Sequence, residues 1–306
     1  MKRVSEMFFD FQRELNGTKR NTSKIIFRGV NGHDVYNITA PFISAGKTII
    51  AGRVEPRDEE ISKVLFFEQE DDIWHPIPGA PIFELQDPFV SFIQNEIIFG
   101  GVKVKENRTG FEWKTVFFRG PDIYNLTEFS HGPTGMKDIR LCDLEDGRIA
   151  VFTRPQGRVG GRGMIGYLEI EDLNDLTSSA IQYAALIEGI FHPLDWGGVN
   201  EAHLLKNGEI GVLGHGACFH DDMAMCEKRY FAKTFVYNPS RHQIRDLKII
   251  ASRDQFKDGP AKRPDIANVV FSSGLVRENG TATLYAGISD AEAHWIEIED
   301  PFLGTP

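Results

Sequence analysis

Cysteine is scarce in this 306-residue sequence: only Cys142, Cys218 and Cys226 occur, with no C-x-x-C pair among them. That odd, scattered set excludes a disulfide-stapled scaffold and fits a reducing, cytoplasmic setting. No run approaches the ~18 apolar residues of a membrane-spanning helix. The N-terminus opens on Lys2-Arg3 but places Glu6 and Asp10 where a signal peptide would be apolar, so no secretion signal is read. Basic charge is also in deficit. Forty-four acidic residues against 34 Lys plus Arg leave a net charge of −10, which argues against a nucleic-acid partner yet allows a local basic pocket for a small anion. Helical periodicity is rare: only Glu6 to Leu15, with Met7, Phe8, Phe11 and Leu15 on one side, and a stretch near Leu176 to Glu188 read as helix. The glycine-rich segment from Gly157 to Gly163 lacks the strand-to-helix setting of a dinucleotide site.

What remains is short β-branched and aromatic runs cut by turns. Thr48-Ile49-Ile50-Ala51-Gly52, Glu96-Ile97-Ile98-Phe99-Gly100, Arg148-Ile149-Ala150-Val151-Phe152, Glu209-Ile210-Gly211-Val212-Leu213 and Thr283-Leu284-Tyr285-Ala286-Gly287 are each preceded by a turn. Those turns are Ala45-Gly46, Gln94-Asn95, Asp146-Gly147, Asn207-Gly208 and Asn279-Gly280. The three Asp-Gly and Asn-Gly pairs suit primed hairpin turns, in which both central residues take positive φ. Upstream of each hairpin an acid or amide marks the strand entrance: Asn37, Asp87, Asp138, Asn200 and Asn268, spaced by 50, 51, 62 and 68 residues. Five divergent copies of a hairpin with one or two outer strands predict an all-β fold, a five-bladed β-propeller. The expected organisation is one domain over 1–306, with a short N-terminal extension and blades starting near residues 34, 84, 136, 197 and 265.

In a propeller the same strand end of every blade faces one funnel, so the entrance residues and the hairpin exits converge there. The exits read Gly52-Arg53-Val54-Glu55, Gly100-Gly101-Val102-Lys103, Thr153-Arg154-Pro155, Gly214-His215-Gly216 and Ser289-Asp290-Ala291-Glu292. Acids, cations and glycines together suit a polyhydroxylated, partly anionic ligand. Arg53, Lys137, Arg154 and His215 fall at funnel positions and form the expected anion site, since a guanidinium grips phosphate through two parallel bonds. Lys262-Arg263, before the fifth unit, either adds to this site or is solvated, and Arg158 and Arg162 are loop candidates for an acceptor or phosphate contact.

Gln86-Asp87-Pro88, Lys137-Asp138, Thr153-Arg154-Pro155, Leu213-Gly214-His215-Gly216, Asn268-Val269-Val270-Phe271 and Gly287-Ile288-Ser289-Asp290 stand in order at this spacing. Together they resemble the inverting β-mannoside phosphorylases of glycoside hydrolase family 130. The likeness is closer still to the mannosyltransferase/phosphorylase family that makes and degrades β-1,2-mannan, glycosyltransferase family 108. Where family 130 continues Asp-Pro-Arg, this chain has Phe89. The resemblance implies reversible inverting transfer of mannose between β-1,2-linked mannooligosaccharides and phosphate through α-mannose 1-phosphate. Asp87 is then the general acid, and Asn37, Asp138, Asn200, Glu201, Asn268, Asp290 and Glu292 bind the sugar. The implied partners are a small carbohydrate and phosphate, with no nucleic acid, membrane or metal and no organic cofactor.

A phosphorylase needs cations in place of the second carboxylate with which a hydrolase activates water. Two other readings stay open: an inverting β-mannosidase, with Glu201 or Glu292 as base, and a carbohydrate-binding propeller without turnover. Trp74, Trp196 and Trp295 are candidate sugar platforms or blade-packing residues. His215, Cys218, His220 and Cys226 lie close in sequence but match no zinc spacing.

Overall fold

The computed structural model describes residues 1–108, 110–220 and 227–304. Strand dominates, as the β-branched runs lead one to expect, and the strands form successive antiparallel meanders. The first holds Asp34–Tyr36 and Phe42–Ser44, both paired to Lys47–Glu55, then Lys63–Glu70 and Ile73–Pro76. The second runs Gln86–Ile93, Glu96–Asn107, Gly110–Gly120, Thr127–His131, and the third Arg140–Asp143, Ile149–Thr153, Gly166–Ile170, Ala185–Leu186. The fourth is Trp196–Leu204, Ile210–Phe219, Lys228–Asn238, Gln243–Ala251. The fifth is Asn268–Glu278, Thr281–Ile288 and Glu292–Glu299, and its outer strand, Thr22–Lys24, comes from the other end of the chain.

The hairpin turns divide in two. Ala45-Gly46, Gln94-Asn95 and Asn279-Gly280 carry positive φ at both residues, but at Asp146-Gly147 and Asn207-Gly208 only the glycine does. Those two do not form the expected two-residue primed turns. Leu144 N donates to Arg148 O and Leu205 N to Glu209 O, each at 2.8 Å, closing longer loops in which a single left-handed glycine suffices.

Apolar side chains that alternate along each strand meet those of the next meander. Ile49, Ala51 and Phe66 of the first share a cluster with Ile97, Phe99 and Val116 of the second. Phe89, Ile98 and Phe117 meet Leu141, Ile149 and Val151 of the third, whose Ala150, Phe152 and Tyr167 meet Val212, Phe235 and Tyr237 of the fourth. Leu213, Val236 and Ile250 then meet Val270, Leu284 and Ile296 of the fifth, and Ala293 and Trp295 return to Val35, Ile50 and Phe67 of the first.

The N-terminal helix, Val4–Leu15, lays Val4, Met7 and Phe11 on Cys218, Phe231 and Ile249 of the fourth meander. The second expected helix is much shorter than its sequence pattern. Thr177 caps a helix of only Ser178–Gln182, anchored by buried Ile181, after which Ala185–Leu186 pairs as an edge strand with Gly166 and Tyr167.

Candidate active site

Four polar residues turn the chain inward through one unusual backbone state. Asn37, Asp87, Asp138 and Asp290 have φ of 44°, 48°, 58° and 49°, the left-handed region that Asn and Asp enter more easily than other non-glycine residues. Asp87 also falls in a register shift between Gln86 and Phe89, and Asn200 in one between Val199 and Glu201. Each bulge re-aims the side chain out of the strand's alternation.

Asp87 is buried, and its Oδ1 accepts from Asn37 Nδ2 at 2.8 Å and Arg53 Nη1 at 3.0 Å, while Lys137 Nζ stands 3.9 Å from Oδ2. Burial alone would raise this carboxyl, but Arg53, Lys137 and the Asn37 bond outweigh it and hold it at about 2. Without ligand, Asp87 is a carboxylate. Arg53 is itself held by Glu55, which accepts from Nη2 at 2.9 Å, and by Ser62 at 2.9 Å from Nε, and its guanidinium lies 4.9 Å from the centre of the Tyr36 ring. Tyr36 in turn donates to Glu55. Most of the Arg53 donors are thus spent on protein carboxylates, and its first task is to fix Asp87.

Asp138 makes the matching pair in the third meander. Its Oδ2 accepts from Arg154 Nη1 at 3.0 Å, and Arg154 Nε donates to the Gly197 carbonyl at 2.6 Å. Gly198 permits this approach, for a Cβ there would lie 2.8 Å from Arg154 Cδ and 2.9 Å from Asp138 Oδ2. Burial pushes Asp138 up, and Arg154 followed by Lys137 brings it below its ordinary value.

His215 is buried and stacks on Tyr230 with ring centres 5.4 Å apart. Burial lowers its pKa to about 3 despite Asp138 nearby, so it is neutral at pH 7. It cannot serve as the cation read from the sequence; it offers one N–H. Its Nδ1 lies 2.8 Å from Asn200 Oδ1, which is 3.3 Å from Ser272 Oγ. Ser272 has one hydroxyl proton, and at 2.7 Å that proton goes to the Gly214 carbonyl. Turning the Asn200 amide over lets Nδ2, otherwise without a partner, donate to both Ser272 Oγ and His215 Nδ1. The ring proton then sits on Nε2.

Asn37, Arg53, Asp87, Lys137, Asp138, Arg154 and His215 line a cavity of about 240 Å³ that also includes Glu60, Gln86, Lys228, Tyr230, Arg263, Phe271 and Asp290. Arg53, Lys137, Arg154, Lys228 and Arg263 gather there in a chain with net charge −10. Burial raises the Asp290 carboxyl above its ordinary value, with Arg53 opposing. Buried Asn37 Oδ1 and Asp138 Oδ1 have no hydrogen-bond partner among the described residues, the complement a polyol requires.

Four expected sugar ligands do not line the cavity, among them Asn200, whose side-chain amide instead contacts His215. Asn268 opens its strand one step too early, in a parallel pairing with Arg229, and its Nδ2 donates to Glu227. Glu201, next to the bulged Asn200, points the other way; its Oε2 accepts from Leu275 N at 2.7 Å and contacts His203 Nε2 at 3.0 Å. Glu292 is held by Lys24 and lies 3.0 Å from His294 Nε2. Lys262 is tied to Glu55, whereas Arg263 reaches the cavity and pairs with Glu60 at 3.0 Å. Arg162 lies over the Trp196 and Phe219 rings, Arg158 sits in the turn Gly157–Gly160, and Trp74, Trp196 and Trp295 serve packing. Arg140 is buried, its guanidinium 4.2 Å from the centre of the Phe89 ring. Among the described residues no group of three or more His, Cys, Asp or Glu could hold a metal, and Cys226 lies outside them.

The family described as "protein of unknown function (DUF1861)" matches residues 12–304. No curated protein sequence matches the chain. Among solved structures, a mannose phosphorylase from Leishmania mexicana in complex with phosphate ion is similar at 37% identity and TM-score 0.88, covering 97% of this chain and 95% of that one. A GDP-Man-dependent mannosyltransferase from the same organism is similar at 35% identity and TM-score 0.90, covering 98% and 95%. A β-1,2-mannobiose phosphorylase from Listeria innocua, at 14% identity and TM-score 0.61 with 92% of each chain covered, shares the fold.

Proposed function

The chain belongs to the DUF1861 family and to the mannosyltransferase/phosphorylase family, glycosyltransferase family 108, and from that premise we infer that it is an inverting β-mannoside phosphorylase. It transfers mannose reversibly between β-1,2-linked mannooligosaccharides and phosphate by way of α-mannose 1-phosphate. The observation that carries this reading is the concentration of Lys137, Arg154, Lys228 and Arg263 around the Asp87 carboxylate in an acidic chain. We read the five meanders as the blades of one β-propeller domain over 1–306; apolar clusters that join each meander to the next, and the fifth to the first, support this. Sparse cysteine supports a cytoplasmic location.

In synthesis the ionised Asp87 accepts the proton of an acceptor hydroxyl as that oxygen attacks the anomeric carbon of mannose 1-phosphate and the phosphate departs on the opposite face. Phosphorolysis is the same step reversed: protonated Asp87 gives its proton to the glycosidic oxygen while phosphate attacks, and the phosphate's own proton restores the acid. Phosphate bound against Lys137 and Arg154 offsets the cations that hold Asp87 low, raising its pKa when the proton is needed. His215 Nε2–H and the Arg154 fork would orient the anion.

The test is an incubation with β-1,2-mannobiose with and without phosphate, alongside mannose 1-phosphate and GDP-mannose as donors. Phosphate-dependent release of α-mannose 1-phosphate is expected, and Asp87→Asn should reduce it ~10²–10⁴-fold. Phosphate-independent release of free mannose would make the protein a β-mannosidase. Transfer from GDP-mannose alone would make it a nucleotide-sugar transferase, and binding without turnover a carbohydrate-binding propeller.

A further inference from the structure

Beside the active-site cavity lies a larger groove of about 550 Å³, between the loop that carries Glu59 and Ser62 and the second meander. The two spaces share Glu60 and Gln86, and Gln86 Nε2 donates to the Glu60 carbonyl at 3.1 Å, so this one contact forms part of the boundary between them. Leu85, Val102 and Val104 line the groove. Ile61 and Phe111, 75% and 57% exposed, stand at its edge with no apolar cover. Phe111 pairs across the hairpin with Glu106, and Trp113 with Val104. Cross-strand partners and residues two apart share a face, which sets Trp113 beside Phe111, about 7 Å further along the strand. Trp113 is 36% exposed, whereas Trp74 and Trp196 are buried.

Charge distinguishes the two spaces. The groove carries Glu59, Glu60, Glu84 and Glu106 against Lys63 alone, while the cavity sets five cations against Glu60, Asp87, Asp138 and Asp290. An anionic chain or a nucleoside diphosphate would be repelled from the groove; a neutral polyol with apolar ring faces would not. The cavity, at about 240 Å³, is below the ~300–1,000 Å³ of typical ligand pockets and suits one sugar unit with phosphate, so a longer substrate must leave it. We propose that the groove binds the neutral mannoside units of the acceptor beyond its first unit, which lies at the shared Glu60–Gln86 boundary, with Phe111 and Trp113 as their stacking platform. The proposal rests on the phosphorylase reading above.

Chain-length kinetics test it. The native protein should cleave β-1,2-mannotriose and mannotetraose with a higher kcat/KM than mannobiose, and Phe111→Ala should lower the longer substrates about tenfold, equivalent to ~1.4 kcal/mol, leaving mannobiose unchanged. Equal kcat/KM at all lengths, or an equal loss at all lengths in the variant, would overturn it. Groove binding needs no turnover, so a fluorescence titration with mannotetraose separates this proposal from the activity it rests on. A spectral change present in the native protein and lost in Trp113→Phe supports the groove even where phosphate-dependent cleavage fails. No change, or the same change in Trp113→Phe, refutes it.

Discussion

Asn37 Nδ2 donates to Asp87 Oδ1 at 2.8 Å across fifty residues of sequence, tying the first meander to the second where both backbones turn left-handed. With Arg53 on the same oxygen, the bond sets the direction in which the Asp87 carboxylate faces the cavity. The proposed acid is therefore positioned by a neighbouring meander, and its geometry depends on how the two meet.

The fifth meander also enters, through close contact. A Cβ on Gly287 would lie 1.9 Å from Asn37 Oδ1 and 2.7 Å from Asn37 N, so Gly287→Ala must displace Asn37 and loosen its grip on Asp87. Gly287→Ala and Asn37→Ala should lower kcat alike, with a smaller change in KM for the mannoside. A Gly287→Ala variant with native kcat in steady-state assays would separate Asn37 from the positioning of Asp87.

Lys137 differs from the other cations of the cavity. Its side chain is 36% exposed and it stands 3.9 Å from Asp87, so Lys137→Met should fold, with its melting temperature at neutral pH lowered only by the lost attraction to the Asp87 carboxylate. Phosphate should bind more weakly in this variant. Asp87 also loses one of the charges that depress it, so its folded pKa rises and the acid limb of the synthetic pH profile moves upward. A KM for phosphate equal to the native value would remove Lys137 from the anion site.

The legible part of this site is the part written in backbone strain. Asn37, Asp87 and Asp138 recur at intervals of 50 and 51 residues because Asn and Asp are favoured among non-glycine residues where a strand entrance turns left-handed. The pattern misleads in the fifth meander, where Asn268 begins the strand earlier and the serine that reaches the interior, Ser272, has no such signature. Glu201 was indistinguishable from Asn200 in a linear reading, since only the bulge between Val199 and Glu201 decides that Asn200 meets His215 while Glu201 accepts from Leu275 N. Glu60, Lys228 and Tyr230 lie outside the entrance and hairpin-exit positions of the repeat and gave no periodic signal. The neutrality of His215 follows from burial, which no spacing encodes.

Lys233 lends itself to a stability measurement. It is a buried residue of the fourth meander, its Nζ donating to the Ile190 carbonyl at 2.9 Å and standing 4.5 Å from the Phe191 ring centre, with Asp195 its nearby counter-charge. Burial lowers its pKa from 10.5 to about 7. In that window the unfolded chain binds the proton and the folded chain does not, so stability rises with pH, by about 1.4 kcal/mol per unit, and the gain is lost as pH falls toward 7. Lys233→Met should abolish that slope in denaturant titrations between pH 7 and 10, whatever its effect on absolute stability. An unchanged slope would assign the linkage to another group.

Arg154 holds buried Asp138 and, under the proposed function, also phosphate, and the two roles can be separated. Arg154→Ala removes the partner of buried Asp138, and an uncompensated buried charge costs about 3–5 kcal/mol, so the single variant should be unstable as well as slow. Arg154→Lys should recover little phosphate use, because the fork that engages Asp138, the Gly197 carbonyl and an anion together is lost. Adding Asp138→Asn to Arg154→Ala takes away the stranded charge, and the melting temperature should return most of the way. If Arg154 holds phosphate, the KM for phosphate in the double variant stays raised, by the equivalent of the ~1.5–3 kcal/mol of a charged hydrogen bond, while stability recovers. If its work is only to hold Asp138, the KM for phosphate recovers along with the melting temperature, and the anion contact passes to Lys137 and His215.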